Sequence, residues 1–360
     1  MGRGVSTVAR TRPPLVDCDI HNELWPGALR PYLPQRWREY DETYGGRADG
    51  GTSYPKGSPR AARADAWPPS GRPPGGDLDF MRAQHLDPYD IRYGVLNCLT
   101  TACRQQNPDY AAALCRAVNE WQVAEWLEKE PRLRAGIVVP YEDPQLAAQE
   151  IDRAAAHPGF VQVLLLVRTD EPLGRRRYTP IFEAAVRHGL PVGIHFGGGR
   201  GRNPLTASGW PSFYIEDHTA MAQAFQAQVV SMVVEGLFER FPALRVVLIE
   251  GGFGWLPSLV WRMDKHWARL RDEVGHLTRP PSEYVREHLW VTTQPIEEPP
   301  DPRHLLGVLD EMGGVDRVMF STDYPHWDFD DPDRAIRARL DPDDRARILG
   351  GNAMALYGLP

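Results

Sequence analysis

Apolar residues along this chain gather in short runs, and stretches of helical periodicity separate them. The runs fall at 92–98, 133–140, 160–167, 191–196, 244–250, 289–294 and 317–323. Near-continuous apolar runs of this length predict strands covered on both faces. Between them the pattern predicts helices at 109–129, 144–156, 179–188, 219–241, 256–273, 301–312 and 333–349. In the fourth, Met221, Phe225, Val229, Met232, Val233, Leu237 and Phe241 recur at spacings of three and four, the stripe by which a helix packs on a core. With an opening strand at 15–22 the strands number eight. Eight strands alternating with helices predict an α/β fold, a (β/α)8 TIM barrel, as one domain over 1–360.

The opening run is Leu15-Val16-Asp17-Cys18-Asp19-Ile20-His21-Asn22. Asp17, Asp19 and His21 occupy every second position, so a regular pleat puts all three on one face. Asp19 and His21 offer oxygen and nitrogen donors to a divalent ion. Alone, the stretch reads more readily as a polar strand end.

The barrel changes that reading, because chemistry in such barrels sits at the C-terminal ends of the strands. Those ends carry Asp19, His21, His195, Glu250 and Asp323, five potential ligands from four strands. Their convergence predicts one metal site.

Between the first strand and the regular repeat lies 25–90, rich in Pro, Gly and Arg and without sustained periodicity. Trp25, Trp37, Tyr40, Tyr54 and Trp67 give it aromatic side chains to pack with. It is either a lid over a cleft or a flexible insertion.

Composition narrows the classes. The chain has 360 residues, 42% of them hydrophobic, enough to bury a full core. A net charge of -7 gives no overall case for nucleic acid or an anionic membrane. No run approaches a membrane span, and no signal-peptide core is evident. Cys18, Cys98, Cys103 and Cys115 are few and irregularly spaced, as buried thiols of a reducing compartment are. A cytoplasmic protein acting on a small molecule is expected.

The loops after the strands add polar groups. His195-Phe196-Gly197-Gly198-Gly199-Arg200-Gly201-Arg202 joins glycines to two arginines, without the spacing of a dinucleotide fingerprint. Glu250-Gly251-Gly252-Phe253-Gly254-Trp255 and Asp323-Tyr324-Pro325-His326-Trp327-Asp328 follow later strands. Arg200, Arg202, Trp255 and Trp327 are the expected substrate contacts, and His326 is placed to orient a ligand or substrate.

These residues resemble the amidohydrolase-related proteins that include aminocarboxymuconate-semialdehyde decarboxylase, resorcylate-type decarboxylases and assorted hydrolases. The resemblance rests on Val16-Asp17-Cys18-Asp19-Ile20-His21, Gly193-Ile194-His195, Arg240-Phe241-Pro242 leading to Ile249-Glu250-Gly251-Gly252, Ser321-Thr322-Asp323-Tyr324-Pro325-His326, and the closing 351–359. It implies one divalent ion held by Asp19, His21, His195 and Asp323, with Asp17 below the ion as an anchor of the strand rather than a ligand, and commonly a homodimer. Two departures stand out. The first ligand is often His or Glu and here is Asp19; after the sixth strand many members have His and here Glu250 stands.

Glu250 beside the ion puts three carboxylates around one charge of +2, which suits a neutral carbonyl better than an anion unless an arginine offsets it. The leading expectation is therefore hydrolysis of an amide, ester or lactone by metal-activated water, with Glu250, Asp323 and His326 as the catalytic groups. Nonoxidative decarboxylation of a small aromatic or unsaturated acid is the alternative. A barrel that only binds metal or ligand is the third reading. Mixed oxygen and nitrogen donors favour zinc over manganese or iron.

Overall fold

The computed structural model describes residues 13–45, 59–198 and 206–360. Eight parallel strands form one sheet in sequential order. They are β1 (Leu15–Ile20), β2 (Ile91–Leu96), β3 (Leu133–Val138), β4 (Phe160–Arg168), β5 (Val192–Gly198), β6 (Val246–Ile249), β7 (Leu289–Thr292) and β8 (Val318–Met319). The sheet closes on itself: Cys18 N donates to Phe320 O, Asp323 N to Asp19 O and His21 N to Tyr324 O. The fold is the (β/α)8 barrel.

Alternation along the strands separates two cores. Val16, Cys18, Val95, Val247, Ile249, Trp290 and Met319 pack together inside the barrel with Leu356 and Tyr357 of the C-terminal segment. Leu15, Ile20, Leu96, Val246, Leu248, Val291 and Phe320 face the surrounding helices.

β1 breaks this alternation. Val16 and Cys18 point inward and Ile20 outward, and the pairing with β2 shifts register between Asp17 and Ile20. The irregularity corrects the expectation that Asp17, Asp19 and His21 share a face. Asp17 is turned to His85, outside the strand, while Asp19 is carried inward to Asn97 and His195. One bulged residue re-aims the side chains that follow it.

The helices depart from the pattern mainly at their ends. The 109–129 stretch is a helix over Pro108–Gln122 followed by a π-helical turn over Val123–Leu127. The helix Tyr214–Val234 stops before Gly236, whose φ of 70° suits glycine, and a short turn Leu237–Arg240 follows. Most of 333–349 is irregular, with a helix only over Pro342–Ala346 before the π-helical turn Arg347–Gly351. A helix over Pro281–His288 had no counterpart in the expected set.

The described part of the inserted segment has structure of its own. It contains helices Gln35–Thr43 and Leu78–Met81, and Trp25 and Trp37 pack against Trp121 and Tyr110 on the barrel's flank. At the mouth, Trp327 N donates to Ala61 O, Arg63 N to Pro325 O and Glu23 N to Gly75 O. Tyr54 lies outside the described residues. No helix among them is long and apolar enough to cross a membrane. All four cysteines are buried.

Candidate metal centre

Asp19, His21, His195 and Asp323 converge, each buried, with donor atoms all within 4.8 Å of one another. The surrounding bonds fix how the two imidazoles face. His21 Nδ1 donates to Asn97 O at 2.7 Å and His195 Nδ1 to Phe196 O at 2.7 Å. This leaves both Nε2 atoms pointing at carboxylates: His21 at Asp323 Oδ1 (2.7 Å), His195 at Asp19 Oδ2 (3.2 Å) and Glu250 Oε2 (3.3 Å). Without a hydrogen on Nε2, two lone-pair-bearing atoms face each other, and a cation between them is what such an arrangement accommodates. The donor set fits one divalent ion.

Support reaches outward from these ligands. Asn97 donates from Nδ2 to Asp19 Oδ1 at 2.9 Å and accepts from Gln162 at 2.8 Å. Glu250 directly follows β6 and Asp323 lies in the loop after β8, with φ of 59° and 61°, left-handed values that cost a side-chain-bearing residue energy and are retained where the surroundings require them.

The electrostatics are strongly coupled. Burial alone would lower the His21 pKa, but Asp19 and then Asp323 carry it up to about 9. Burial opposes ionisation of Asp323, yet His326 and His21 hold it well below the usual carboxylate range. Glu250 is driven well above that range, by burial first and then by Asp323, Asp328 and Asp19, with Arg168 opposing.

A second group adjoins the first. His218, on the helix Tyr214–Val234, has Nε2 3.1 Å from Asp328 Oδ2, and both lie within 4.8 Å of Glu250. Around His218 stand the rings of Trp327 (5.0 Å), Tyr214 (5.7 Å) and Phe196 (6.2 Å), and the Arg168 guanidinium lies 4.8 Å over Phe196. The sequence reading missed His218, Tyr214 and Asp328. Helical periodicity assigns 219–241 to packing and gives a histidine just before it no role, while Asp328 was seen only as part of a loop.

The remaining candidates divide. His326 Nδ1 donates to Asp323 Oδ1 at 2.7 Å, and its ring stacks on His21 at 4.3 Å. Trp327 joins the aromatic group, with Nε1 donating to Tyr214 OH at 3.2 Å. Trp255 does not join it: its Nε1 donates to Gly251 O and its ring packs on the outer core. Arg200 and Arg202 lie outside the described residues. Arg168 is bound to Asp217 at 2.6 Å, so its charge is already matched.

A barrel with this donor set at its mouth belongs to a class of enzymes, the metal-dependent hydrolases and carboxy-lyases. The chain is a member of the amidohydrolase family, whose match covers residues 18–359. A γ-resorcylate decarboxylase of Polaromonas sp. is 27% identical over 301 residues, spanning 79% of this chain and 88% of that protein. One from Rhodococcus jostii is 28% identical over 305 residues, with the same shares of the two chains. Among solved structures, dihydroxybenzoic acid decarboxylase from Polaromonas sp., holding manganese and the inhibitor 2-nitroresorcinol, superposes with a TM-score of 0.68 at 23% identity, over 97% of this chain and 98% of that one. An amidohydrolase from Mycobacterium avium subsp. paratuberculosis gives 0.73 at 22% identity, over 97% and 99%.

Proposed function

We propose that this enzyme is a nonoxidative decarboxylase of a small hydroxylated aromatic acid. The observation that carries the reading is the wall of Phe196, Tyr214, His218 and Trp327 beside the four donors, since flat rings offer stacking and edge contacts to an aromatic substrate. The γ-resorcylate decarboxylases, alike over most of both chains, support the same chemistry. Hydrolysis, the leading expectation from sequence, takes second place, because these relatives are decarboxylases.

One divalent ion held by Asp19, His21, His195 and Asp323 would polarise a substrate oxygen and so stabilise the charge that develops on the ring. Manganese stands ahead of zinc, because the Polaromonas neighbour carries it. The aromatic wall would hold the ring. His326 is the proposed proton donor: its Nδ1 is committed to Asp323, which leaves the Nε2 hydrogen of the imidazolium for transfer. The bond from ring to carboxylate carbon breaks, its electron pair stays on the ring carbon, that carbon takes the proton, and carbon dioxide leaves.

The test is incubation of manganese-loaded protein with a panel of hydroxybenzoates, 2,6-dihydroxybenzoate included, beside a panel of esters, lactones and amides. Carbon dioxide and the matching phenol are expected from the first panel. Turnover of the second panel alone would overturn the reading.

A further inference from the structure

The group behind the first donor set has its own chemistry. His218, Glu250 and Asp328 come from a helix, the end of β6 and the loop after β8, and each presents a donor atom within 4.8 Å of the others. We infer that these three side chains form a second site for a divalent cation, next to the first, with Glu250 within reach of both. The inference does not depend on decarboxylation as the reaction.

Three observations lead there. The first is the donor set, one imidazole and two carboxylates, which matches the ligands hard and borderline divalent ions take. These residues are not a solvated surface cluster: Glu250 is buried, and the side chains of His218 and Asp328 are only 14% and 11% exposed.

The second is Gln294, wholly buried, whose Nε2 donates to Asp328 Oδ2 at 2.9 Å and lies 3.5 Å from Asp323 Oδ2, while its Oε1 has no hydrogen-bond partner. The same amide therefore spans the two carboxylates that belong to the two groups and keeps an unsatisfied acceptor beside them. A buried carbonyl oxygen without a donor is costly. A cation is the partner that satisfies it, since turning the amide over would present that oxygen to the carboxylates.

The third is charge. Asp19 and Asp323 of the first group stand beside Glu250 and Asp328 of the second, so four carboxyl groups meet in one place, and one divalent ion matches two of them. Arg168 does not supply the difference, because Asp217 holds it at 2.6 Å. Buried charges persist when paired or bound to metal. A second divalent ion between Glu250 and Asp328 would match the other two. Glu250 has the placement for this: His195 Nε2 of the first group is 3.3 Å from its Oε2. The departure at this position, a carboxylate where many family members have an imidazole, thereby gains a purpose.

The test counts ions on the holoprotein. Protein freed of metal is titrated with manganese, the bound ions per chain are measured by elemental analysis after desalting, and the low-temperature electron paramagnetic resonance spectrum is recorded. Two ions per chain and an exchange-coupled spectrum are expected, as for ions about 4 Å apart. His218→Ala and Asp328→Asn should each hold one ion and give an isolated six-line spectrum. One ion per chain at saturation in the unaltered protein overturns the inference, and this reading needs no variant to fold. Two ions per chain retained in both variants overturn it as well, since the second ion would then lie elsewhere.

Discussion

His85 donates its Nε2 hydrogen to Asp17 at 2.8 Å, and neither side chain is exposed. The same carboxylate accepts from Asp19 N (3.1 Å), Thr322 N (2.9 Å) and Thr322 Oγ1 (2.6 Å). Asp17 thus ties the irregular part of β1 to the chain leaving β8, and through them fixes the backbone that carries Asp19 and Asp323. It holds the frame of the site without being one of its ligands.

Asp17→Asn should therefore lower stability by about 1–3 kcal/mol, the cost of leaving buried donors imperfectly matched. Manganese content should stay near that of the unaltered protein. Thermal unfolding and metal analysis on one preparation check both; a folded variant without metal would make Asp17 a ligand.

Asp19→Ala and His21→Ala should each abolish metal retention at the first site and activity with it, since each removes a donor from a buried set of four. Folding should survive, as judged by circular dichroism. Elemental analysis after dialysis reads the loss.

His326→Gln should retain the metal and lose about 10²–10⁴-fold in kcat, the usual range for removal of a proton donor. The stack on His21 and the bond to Asp323 are the contacts it gives up. Steady-state kinetics and metal analysis on one preparation check both.

Trp327→Ala should act on binding. The ring is 47% exposed and bridges Tyr214 and His218 at the mouth, so KM should rise about 3- to 10-fold with a smaller change in kcat. Equal losses in both constants would place the ring on the reacting atoms instead.

Far from the mouth, Glu130 governs acid stability. Arg132 and Arg82 each bind it at 2.8 Å; the bonds from Arg132, against the opposing cost of burial and with help from Arg82, lower its pKa from 4.5 to about 2. A carboxylate depressed in the folded state stabilises fully above its unfolded pKa and loses that contribution as pH falls toward the folded one. Glu130→Gln should melt below the unaltered protein at pH 7, and the gap should narrow between about pH 4.5 and 2. Melting curves over that range test it.

Much of this architecture was legible in the residue pattern, because a parallel strand buried on both faces writes itself as an apolar run. His195 and Glu250 could be placed by counting to the ends of such runs. The facing of Asp17 could not be read, since a bulge reverses the facing of every later residue and leaves no mark in a period-two pattern, although a role in anchoring the strand rather than binding the ion was expected of it. His218 was invisible for another reason: its role depends on the helix start meeting the loop that carries Asp328, a contact across 110 residues. Pro and Gly marked 25–90 as irregular, but only the packing of Trp25 and Trp37 shows that much of it lies along the flank.

The central claim, cleavage of a carbon–carbon bond followed by protonation of the ring, is tested most directly by running the reaction on 2,6-dihydroxybenzoate in deuterated, oxygen-18-enriched water. The account predicts carbon dioxide and a resorcinol carrying one deuterium at the vacated ring carbon and no oxygen-18. Any product carrying oxygen-18 at a newly formed carbon–oxygen bond, without release of carbon dioxide, would contradict it.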